Sequence, residues 1–239
     1  MINVKLKDGS VRGIEENSTI LDLAKSISKK LGKSAVVGEV NGTLVDLAYK
    51  LQNNDEVNIV TYDDEAGIEV MRHTTSHVMA QAVKRLYKDV KLAIGPTIEN
   101  GFYYDFDIET PFNNEDLVKI EEEMNKIIKE DILLERMVVS REEALKLMEG
   151  RGEPYKVELI KDLPEGETIS LYKQGNFIDL CRGPHLLSTK GIKDFKLTSV
   201  AGAYWRGNEK NNRKISVEHN HMLPFYSSSA CSCFGTGEY

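Results

Sequence analysis

The chain has 239 residues, 41% of them hydrophobic and 29% charged, and a formal net charge of −7, which argues against a protein that coats nucleic acid non-specifically. No apolar run approaches the roughly 18 residues that a membrane-spanning helix needs, and the N-terminus alternates apolar with polar residues instead of carrying a signal peptide. We therefore expect a cytoplasmic chain of two small domains, with no membrane partner and with its three cysteines reduced.

The first part of the chain reads as short strands around one helix. Apolar and polar residues alternate over 2–6, and Asp8-Gly9 predicts a tight turn into a return strand over 11–14. Ser18 can cap a helix whose apolar residues recur at helical spacing until Gly32. Further strands are predicted over 35–40, 43–45 and 56–61. This order predicts a ubiquitin-like β-grasp domain over 1–62, a fold that mostly serves binding.

A second domain is predicted from residue 63, after a polar linker. Its first helix carries apolar residues at a spacing of three to four, with His73 and His77 together on the opposite face. A hairpin near 92–108 and helices over 114–130 and 140–150 follow, the last opened by a capping box. Short strands are then predicted over 155–160, 168–172, 177–180 and 195–200. The fold class is α+β, with a mainly antiparallel sheet in this domain.

Two motifs hold the residues that can carry chemistry. In His73-Thr-Thr-Ser-His77 the i, i+4 spacing places both rings on one helix face, where they can share a metal or a water. In Cys181-Arg-Gly-Pro-His185 the Gly-Pro pair excludes a regular helix, so a loop presents the thiol and the imidazole. Taken alone, each pair also fits exposed histidines or a buried structural cysteine. The two motifs together are more informative than either alone, because every cysteine and histidine in residues 1–211 belongs to one of them.

The residues leave three chemistries open if the motifs meet in space. His73, His77, Cys181 and His185 would form a Cys-His₃ set suitable for zinc, although four protein ligands close the shell that a hydrolytic zinc must keep open for water. Alternatively, a histidine acts as general base on a water that Lys156 or Asp179 holds or polarises, without metal. In the third case Cys181 is a nucleophile activated by a histidine.

Charge is unevenly distributed along the chain. Residues 182–214 contain eight lysines and arginines and only two acidic residues. Such a local basic segment on an acidic protein is compatible with a defined RNA contact, and equally with a solvated loop.

At five motifs the chain resembles the N-terminal half of bacterial threonyl-tRNA synthetases. The match covers residues 1–211, and the motifs stand in the family's order and spacing: HTTSHVMAQA, AIGPTIENGFYYDFD, EPYKVEL, FIDLCRGPHL and SVAGAYWRGNEKN. The resemblance implies that residues 1–62 form the β-grasp module called TGS. It implies that residues 63–223 form an editing domain that hydrolyses serine wrongly attached to tRNA(Thr). The related alanyl editing domain typically holds zinc at these motifs, whereas the threonyl pocket is usually described as metal-free.

The resemblance also assigns roles to individual residues. His73 and His77 would line the pocket, with His73 positioning or activating a water and Lys156 handling the same water. Cys181 and His185 would complete the site. Asp179 would contact the aminoacyl group or orient a neighbour, while Tyr104 and Arg182 would bind substrate. The partner would be the tRNA(Thr) acceptor end, facing the basic segment.

The resemblance stops after Asn211. Residues 212–239 show no helical period, and we expect them to be a frameshifted or disordered tail. We also expect no ATP site and no ligase activity, because the family's catalytic core has no counterpart here. Two functions follow: an editing hydrolase that needs no cofactor, or a non-catalytic RNA-binding module or truncated product without turnover.

Overall fold

The structure, a computed structural model, describes residues 1–204 and 213–220. Its first sheet contains β1 (Ile2–Leu6), β2 (Val11–Ile14), β3 (Ala35–Val40), β4 (Thr43–Asp46) and β5 (Glu56–Thr61). The strand order is β2-β1-β5-β3-β4, in which β1 and β5 are parallel and the other neighbours antiparallel. This is the β-grasp arrangement that the sequence predicts.

The single helix expected in this unit is two helices, α1 (Ile20–Ile27) and α2 (Lys29–Ser34). Thr19, not Ser18, caps α1 and forms a capping box with Asp22. The break falls at Ser28, which has extended backbone angles and whose side chain accepts from the Leu31 N–H. A serine that caps a new helix competes with continuation of the previous one, which explains the division.

The helix α3 (Glu65–Leu86) runs through the centre of the molecule. Every residue from Thr74 to Val83 is buried, so the helix has no solvent-facing side over this stretch. The sequence predicts one apolar face and a separate histidine face. Both faces are covered in the structure, because β3, β8 and the helix α4 (Asn114–Lys129) pack around α3.

Two further sheets and two further helices follow α3. The strands are β6 (Lys91–Leu92), β7 (Thr97–Ile98), β8 (Gly101–Asp107), β9 (Leu134–Val139), β10 (Ile169–Gln174), β11 (Phe177–Leu180), β12 (Ser199–Tyr204) and β13 (Arg213–Asn220). The helices are α5 (Arg141–Gly150) and α6 (Pro154–Asp162). One sheet has the order β12-β13-β8-β6 with β7 also on β8, and the other has the order β11-β10-β9. All pairs in both sheets are antiparallel, so the predicted α+β class is confirmed.

Two predicted strands are wrong. Residues 155–160 belong to α6, where Pro154 occupies the first helical turn and Lys156 and Ile160 face inward at helical spacing. Proline is favoured at a helix start because its missing N–H has no intrahelical partner there. The strand predicted over 195–200 begins only at Ser199.

The predicted domain boundaries, 1–62 and 63–223, remain a prediction. The first sheet ends at Thr61 and α3 begins at Glu65, but Val37 and Val60 of the first unit pack in the same apolar core as Val78 of α3. No described helix has both the length and the apolar character needed to cross a membrane.

The tail predicted from residue 212 on includes β13. Its sequence alternates apolar and polar residues at Ile215 and Val217, and its backbone pairs with β8 and β12. The rest of that tail, residues 221–239, lies outside the described residues, as do residues 205–212.

Candidate functional site

The two motifs meet beside the central helix. The histidines at 73 and 77 lie on α3, and Cys181 and His185 lie on the turn that leaves β11. The Sγ atom of Cys181 is 3.2 Å from Nε2 of His73 and 3.3 Å from Nε2 of His185. One nitrogen or sulfur atom from each of the four residues lies within 4.8 Å of the others. The structure thus forms the Cys-His₃ cluster that the sequence leaves conditional.

A tight turn carries Cys181 and His185 into this cluster. Gly183 has φ +75°, and a β-carbon there would lie 1.9 Å from the Tyr172 hydroxyl, so the position requires glycine. The Gly183 N–H points back to the Cys181 sulfur at 3.3 Å, and the peptide bond to Pro184 is cis.

Thr74 fixes the tautomer of His185. Its hydroxyl donates its one proton to the Val70 carbonyl and accepts from the Leu186 N–H. Because a hydroxyl has one proton, the contact of 3.1 Å between Thr74 Oγ1 and His185 Nδ1 requires Nδ1 to be the donor. In the neutral ring Nε2 then carries a lone pair, which lies 3.3 Å from the Cys181 sulfur and can accept its S–H.

His73 can present a free acceptor. The Pro184 carbonyl acts on the His73 ring to raise its pKa, and because a carbonyl only accepts, this contact favours a ring N–H directed at it. The other ring nitrogen then carries a lone pair, and Nε2 lies 3.2 Å from the Cys181 sulfur. Because Cys181 has a single S–H, it can donate to His73 or to His185 but not to both, and when it donates to His185 the His73 lone pair is open to a water or a metal ion. It is also less deeply buried than His77 and His185.

A charged network lies next to the imidazoles. Lys156 Nζ is 2.7 Å from one Asp179 oxygen, and the Tyr104 hydroxyl donates to the other at 2.6 Å. Lys156 also donates to the Tyr104 oxygen at 3.0 Å, which closes a triangle. His77 Nε2 lies 3.9 Å from Asp179, too far for a hydrogen bond. The three members of the triangle are nearly inaccessible to solvent, so the ion pair is a fixed charge arrangement.

Burial sets the protonation states of the cluster. It lowers the pKa of His77 to about 3, with repulsion from His73 and Lys156 acting in the same direction against the attraction of Asp179. Burial likewise lowers the pKa of His185 well below its usual value and lowers that of His73. The three rings are therefore neutral at pH 7.

The two acidic groups beside the imidazoles have opposite shifts. Burial raises the pKa of the Cys181 thiol to about 12, so it is protonated at pH 7. Burial also acts to raise the pKa of Asp179, but the attraction of Lys156 and the hydrogen bonds from Lys156 and Tyr104 outweigh burial and lower the pKa. Asp179 is therefore ionised.

One predicted site residue is not in the cluster. Arg182 is exposed, and its guanidinium is 3.1 Å from Glu167. Other cations of the basic segment are also paired: Lys190 with Asp131, and Lys196 with Glu121. Three cations of this segment are thus paired with acidic residues from elsewhere in the chain.

Sequence reasoning missed three residues around the cluster. Thr74 fixes His185, the ring of Tyr172 lies edge-on 4.4 Å from that of His185, and Asp46 accepts from the His185 backbone N–H. The position of Thr74 between two histidines on one helix was an available signal. Tyr172 and Asp46 carried none, because their proximity arises only from tertiary packing.

The four residues of the cluster fit a zinc ion. Zinc bonds of about 2.0–2.3 Å place neighbouring tetrahedral ligands roughly 3.3–3.8 Å apart, close to the two sulfur–nitrogen distances found here. The outer hydrogen bond of His185 to Thr74 also resembles those that orient metal-bound imidazoles. The geometry can therefore hold a metal.

Comparison with known proteins connects this cluster to a family. Residues 2–61 match the model of the TGS domain, and residues 169–215 match that of the threonyl and alanyl tRNA synthetase second additional domain. The chain is 67% identical over 211 residues to the threonine–tRNA ligase of Acetivibrio thermocellus, covering 88% of the chain and 33% of that protein. The chain thus contains regions that match the TGS domain and the second additional domain of threonyl and alanyl tRNA synthetases, and it is similar to the N-terminal third of threonine–tRNA ligases.

Other relatives agree. The threonine–tRNA ligase of Caldanaerobacter subterraneus subsp. tengcongensis is 60% identical over 208 residues, which cover 87% of the chain and 32% of that protein. The enzyme of that name from Clostridium tetani is 57% identical over 211 residues, covering 88% of the chain and 33% of the relative. The chain thus spans about a third of the length of the curated relatives it matches.

The second additional domain holds half of the cluster within its matched range. Asp179, Cys181 and His185 lie inside residues 169–215, whereas His73 and Lys156 lie before that range. The catalytic and substrate-binding roles assigned to all these residues remain predictions.

Proposed function

We propose that this chain hydrolyses mischarged Ser-tRNA(Thr), releasing serine by attack of water on the aminoacyl ester. One observation carries the proposal: a buried Lys156–Asp179–Tyr104 triangle lies against neutral imidazoles, one of which has a free lone pair. Buried ionisable groups held in fixed protonation states beside one another are typical of functional sites. Their place in a chain with the second additional domain supports tRNA as the substrate class and the acceptor end as the contact.

His73 is the proposed general base. When the Cys181 thiol donates to His185, the lone pair of His73 accepts a proton from water, and the Pro184 carbonyl favours a ring N–H on the other nitrogen. Because the ester is activated and held in place, positioning the water supplies much of the required acceleration. His77 lies beside it, with 5.2 Å between the ring centroids, and, being neutral, adds no positive charge that would oppose protonation of His73.

Lys156 is the proposed electrostatic group. Two of its three N–H donors point to Asp179 and Tyr104, which leaves the third for the water or for the oxyanion that forms at the ester carbonyl. Asp179 holds Lys156 in this orientation, and the Tyr104 hydroxyl fixes Asp179 from the other side.

Cys181 is a positioning group in this scheme. A thiolate, not a thiol, is the effective nucleophile, and the pKa of about 12 keeps this sulfur protonated. Its S–H can donate to His185 or to His73, and its sulfur accepts from the Gly183 N–H. These contacts favour water attack over a covalent thioester route.

The substrate preference follows from size. Serine lacks one methyl group of threonine, a difference worth only about 1–3 kcal/mol in a binding pocket, so a synthetic site discriminates imperfectly. A second pocket with no room for that methyl group removes the error. We therefore propose Ser-tRNA(Thr) as substrate, with Thr-tRNA(Thr) spared.

The decisive assay incubates the chain with Ser-tRNA(Thr) and with Thr-tRNA(Thr) and measures released amino acid. We expect faster serine release than in buffer and little threonine release. His73→Ala and Lys156→Ala should each lose activity, while Lys161→Ala, on the exposed side of the same helix as Lys156, should retain it. Serine release no faster than in buffer would overturn the hydrolase and favour the alternative, an RNA-binding module or truncated product without turnover.

A zinc-dependent site is the second candidate, because the Cys-His₃ cluster fits the ion. His73, His77, Cys181 and His185 would hold it, and a bound zinc supplies Lewis acidity and deprotonates a ligating thiol. We propose that no cofactor is needed, since a closed four-ligand shell leaves no position for water. Activity unchanged by chelator and by added zinc is the expected result, and loss with chelator that zinc restores would contradict it.

A further inference from the structure

The β-grasp unit contributes a side chain to the surroundings of the cluster. Asp46, at the end of β4, accepts from the backbone N–H of His185 at 2.9 Å through one oxygen. Its other oxygen accepts from the Tyr172 hydroxyl at 2.8 Å. Both partners lie more than a hundred residues away in the sequence, on the other side of the predicted domain boundary.

These two partners hold the turn that presents Cys181 and His185. The Tyr172 ring lies edge-on against the His185 ring, with 4.4 Å between centroids. The Tyr172 hydroxyl also occupies the space next to Gly183 where a β-carbon would lie. The Asp46 carboxylate therefore holds the end of the turn directly, at the backbone of His185. It holds the middle of the turn, at Gly183, through the Tyr172 hydroxyl.

The Asp46 carboxylate also supplies the hydrogen-bond acceptor that the buried backbone N–H of His185 needs. His185 is fully buried, so its backbone N–H has no solvent to bind if the carboxylate is removed. Asp46 is the acceptor that the described part of the chain provides for it. Without this acceptor the turn must rearrange to satisfy the donor, and the imidazole moves with it.

We propose that Asp46 is a positioning residue for the hydrolytic site, so that the TGS domain completes the site of the second additional domain. This inference rests on the proposed function. Asp46 touches neither the water nor the ester. It acts through His185 and Tyr172, and hydrolysis depends on the contact between the two domains.

The activity test compares three variants of the full chain. Asp46→Ala removes both hydrogen bonds and should lower kcat for Ser-tRNA(Thr) hydrolysis by about 10–100-fold with little change in KM, the range found when groups that orient an active-site ligand are removed. Asp46→Asn keeps an oxygen for the His185 N–H and an amide that can donate to the Tyr172 oxygen, so it should stay within a few fold of wild type. Asp63→Asn, an exposed neutralisation in the linker, is the matched control.

A second measurement does not depend on catalysis. Hydrogen exchange of the His185 amide should accelerate in Asp46→Ala and remain at the wild-type rate in Asp46→Asn and Asp63→Asn. Thermal unfolding of each variant separates a local change at the turn from general loss of fold.

The outcomes are distinguishable. Wild-type kcat in Asp46→Ala, equal losses in the alanine and asparagine variants, or unchanged exchange at His185 would overturn the positioning role. If wild-type protein hydrolyses no Ser-tRNA(Thr), the proposed function fails. Hydrogen exchange of the His185 amide then decides by itself whether Asp46 holds the turn. Faster exchange in Asp46→Ala would then still support Asp46 as the residue that holds the turn.

Discussion

The β-grasp unit and the region around α3 are stabilised by different kinds of core. The core of the first unit consists of aliphatic residues such as Ile20, Leu23 and Val57, and Asp55 is its one buried polar side chain among the described residues. The other buried polar side chains that the structure describes lie after residue 62, many of them on α3 or facing it. An apolar core contributes only to the stability of the fold. Burying polar side chains costs free energy unless they are fully paired, so a group of them in one place indicates a function.

The largest effect is expected from removing the lysine of the buried Lys156–Asp179 ion pair. Lys156→Met leaves Asp179 buried without its cation, so the free energy of unfolding should fall by about 3–5 kcal/mol. Urea denaturation measures the change. Lys161→Met, on the same helix but exposed, should stay within about 0.5 kcal/mol of wild type. A small loss for Lys156→Met would show that the pair is not desolvated as the structure has it.

Truncation in the apolar core should cost stability without affecting chemistry. Leu23→Ala, at a fully buried site in the β-grasp core, should destabilise by about 2–5 kcal/mol through lost burial and a cavity. The rate of Ser-tRNA(Thr) hydrolysis per folded molecule, measured below the unfolding transition, should be unchanged. A fall in that rate comparable to that of Lys156→Ala would mean that the two regions do not differ in role.

A smaller effect is expected from removing the hydroxyl that fixes His185. Thr74→Val is nearly isosteric but leaves the Leu186 N–H and His185 Nδ1 without an acceptor, at a cost of about 1–3 kcal/mol. NMR of ring nitrogens should show His185 losing its single Nδ1–H tautomer. Thr75→Val is the control, because Thr75 is buried on the same helix but bonds only to the Met71 carbonyl. An unchanged His185 tautomer in Thr74→Val would contradict the proton assignment.

The smallest expected effect concerns a helix cap remote from both cores. Ser140→Ala removes the capping box of α5 and should cost about 1 kcal/mol in unfolding free energy, with no effect on hydrolysis. Denaturation and the Ser-tRNA(Thr) assay together check both parts. A change in hydrolysis would show that loss of the cap is transmitted from α5 to α6, the helix on which it packs and which carries Lys156.

Local signals predicted much of the fold. Alternation and the Asp8-Gly9 turn located the first hairpin, and the capping box at Ser140 located α5, because these features depend on neighbours in sequence. The errors fell where local signals compete. Ser28 could continue one helix or begin another, and residues 155–160 showed a short apolar pattern that fits strand or helix until Pro154 is weighed as a helix start.

The sequence by itself determined which residues of the candidate site could act together. Histidines four residues apart on a helix must share a face, and a Gly-Pro turn must bring Cys181 and His185 out of a strand. Only the tertiary structure decided what these residues can do. Packing around α3 buries the rings and keeps them neutral, and it brings Thr74 to His185 and Lys156 to Asp179. Protonation depends on burial and on partners distant in the chain, so spacing along the sequence could not supply it.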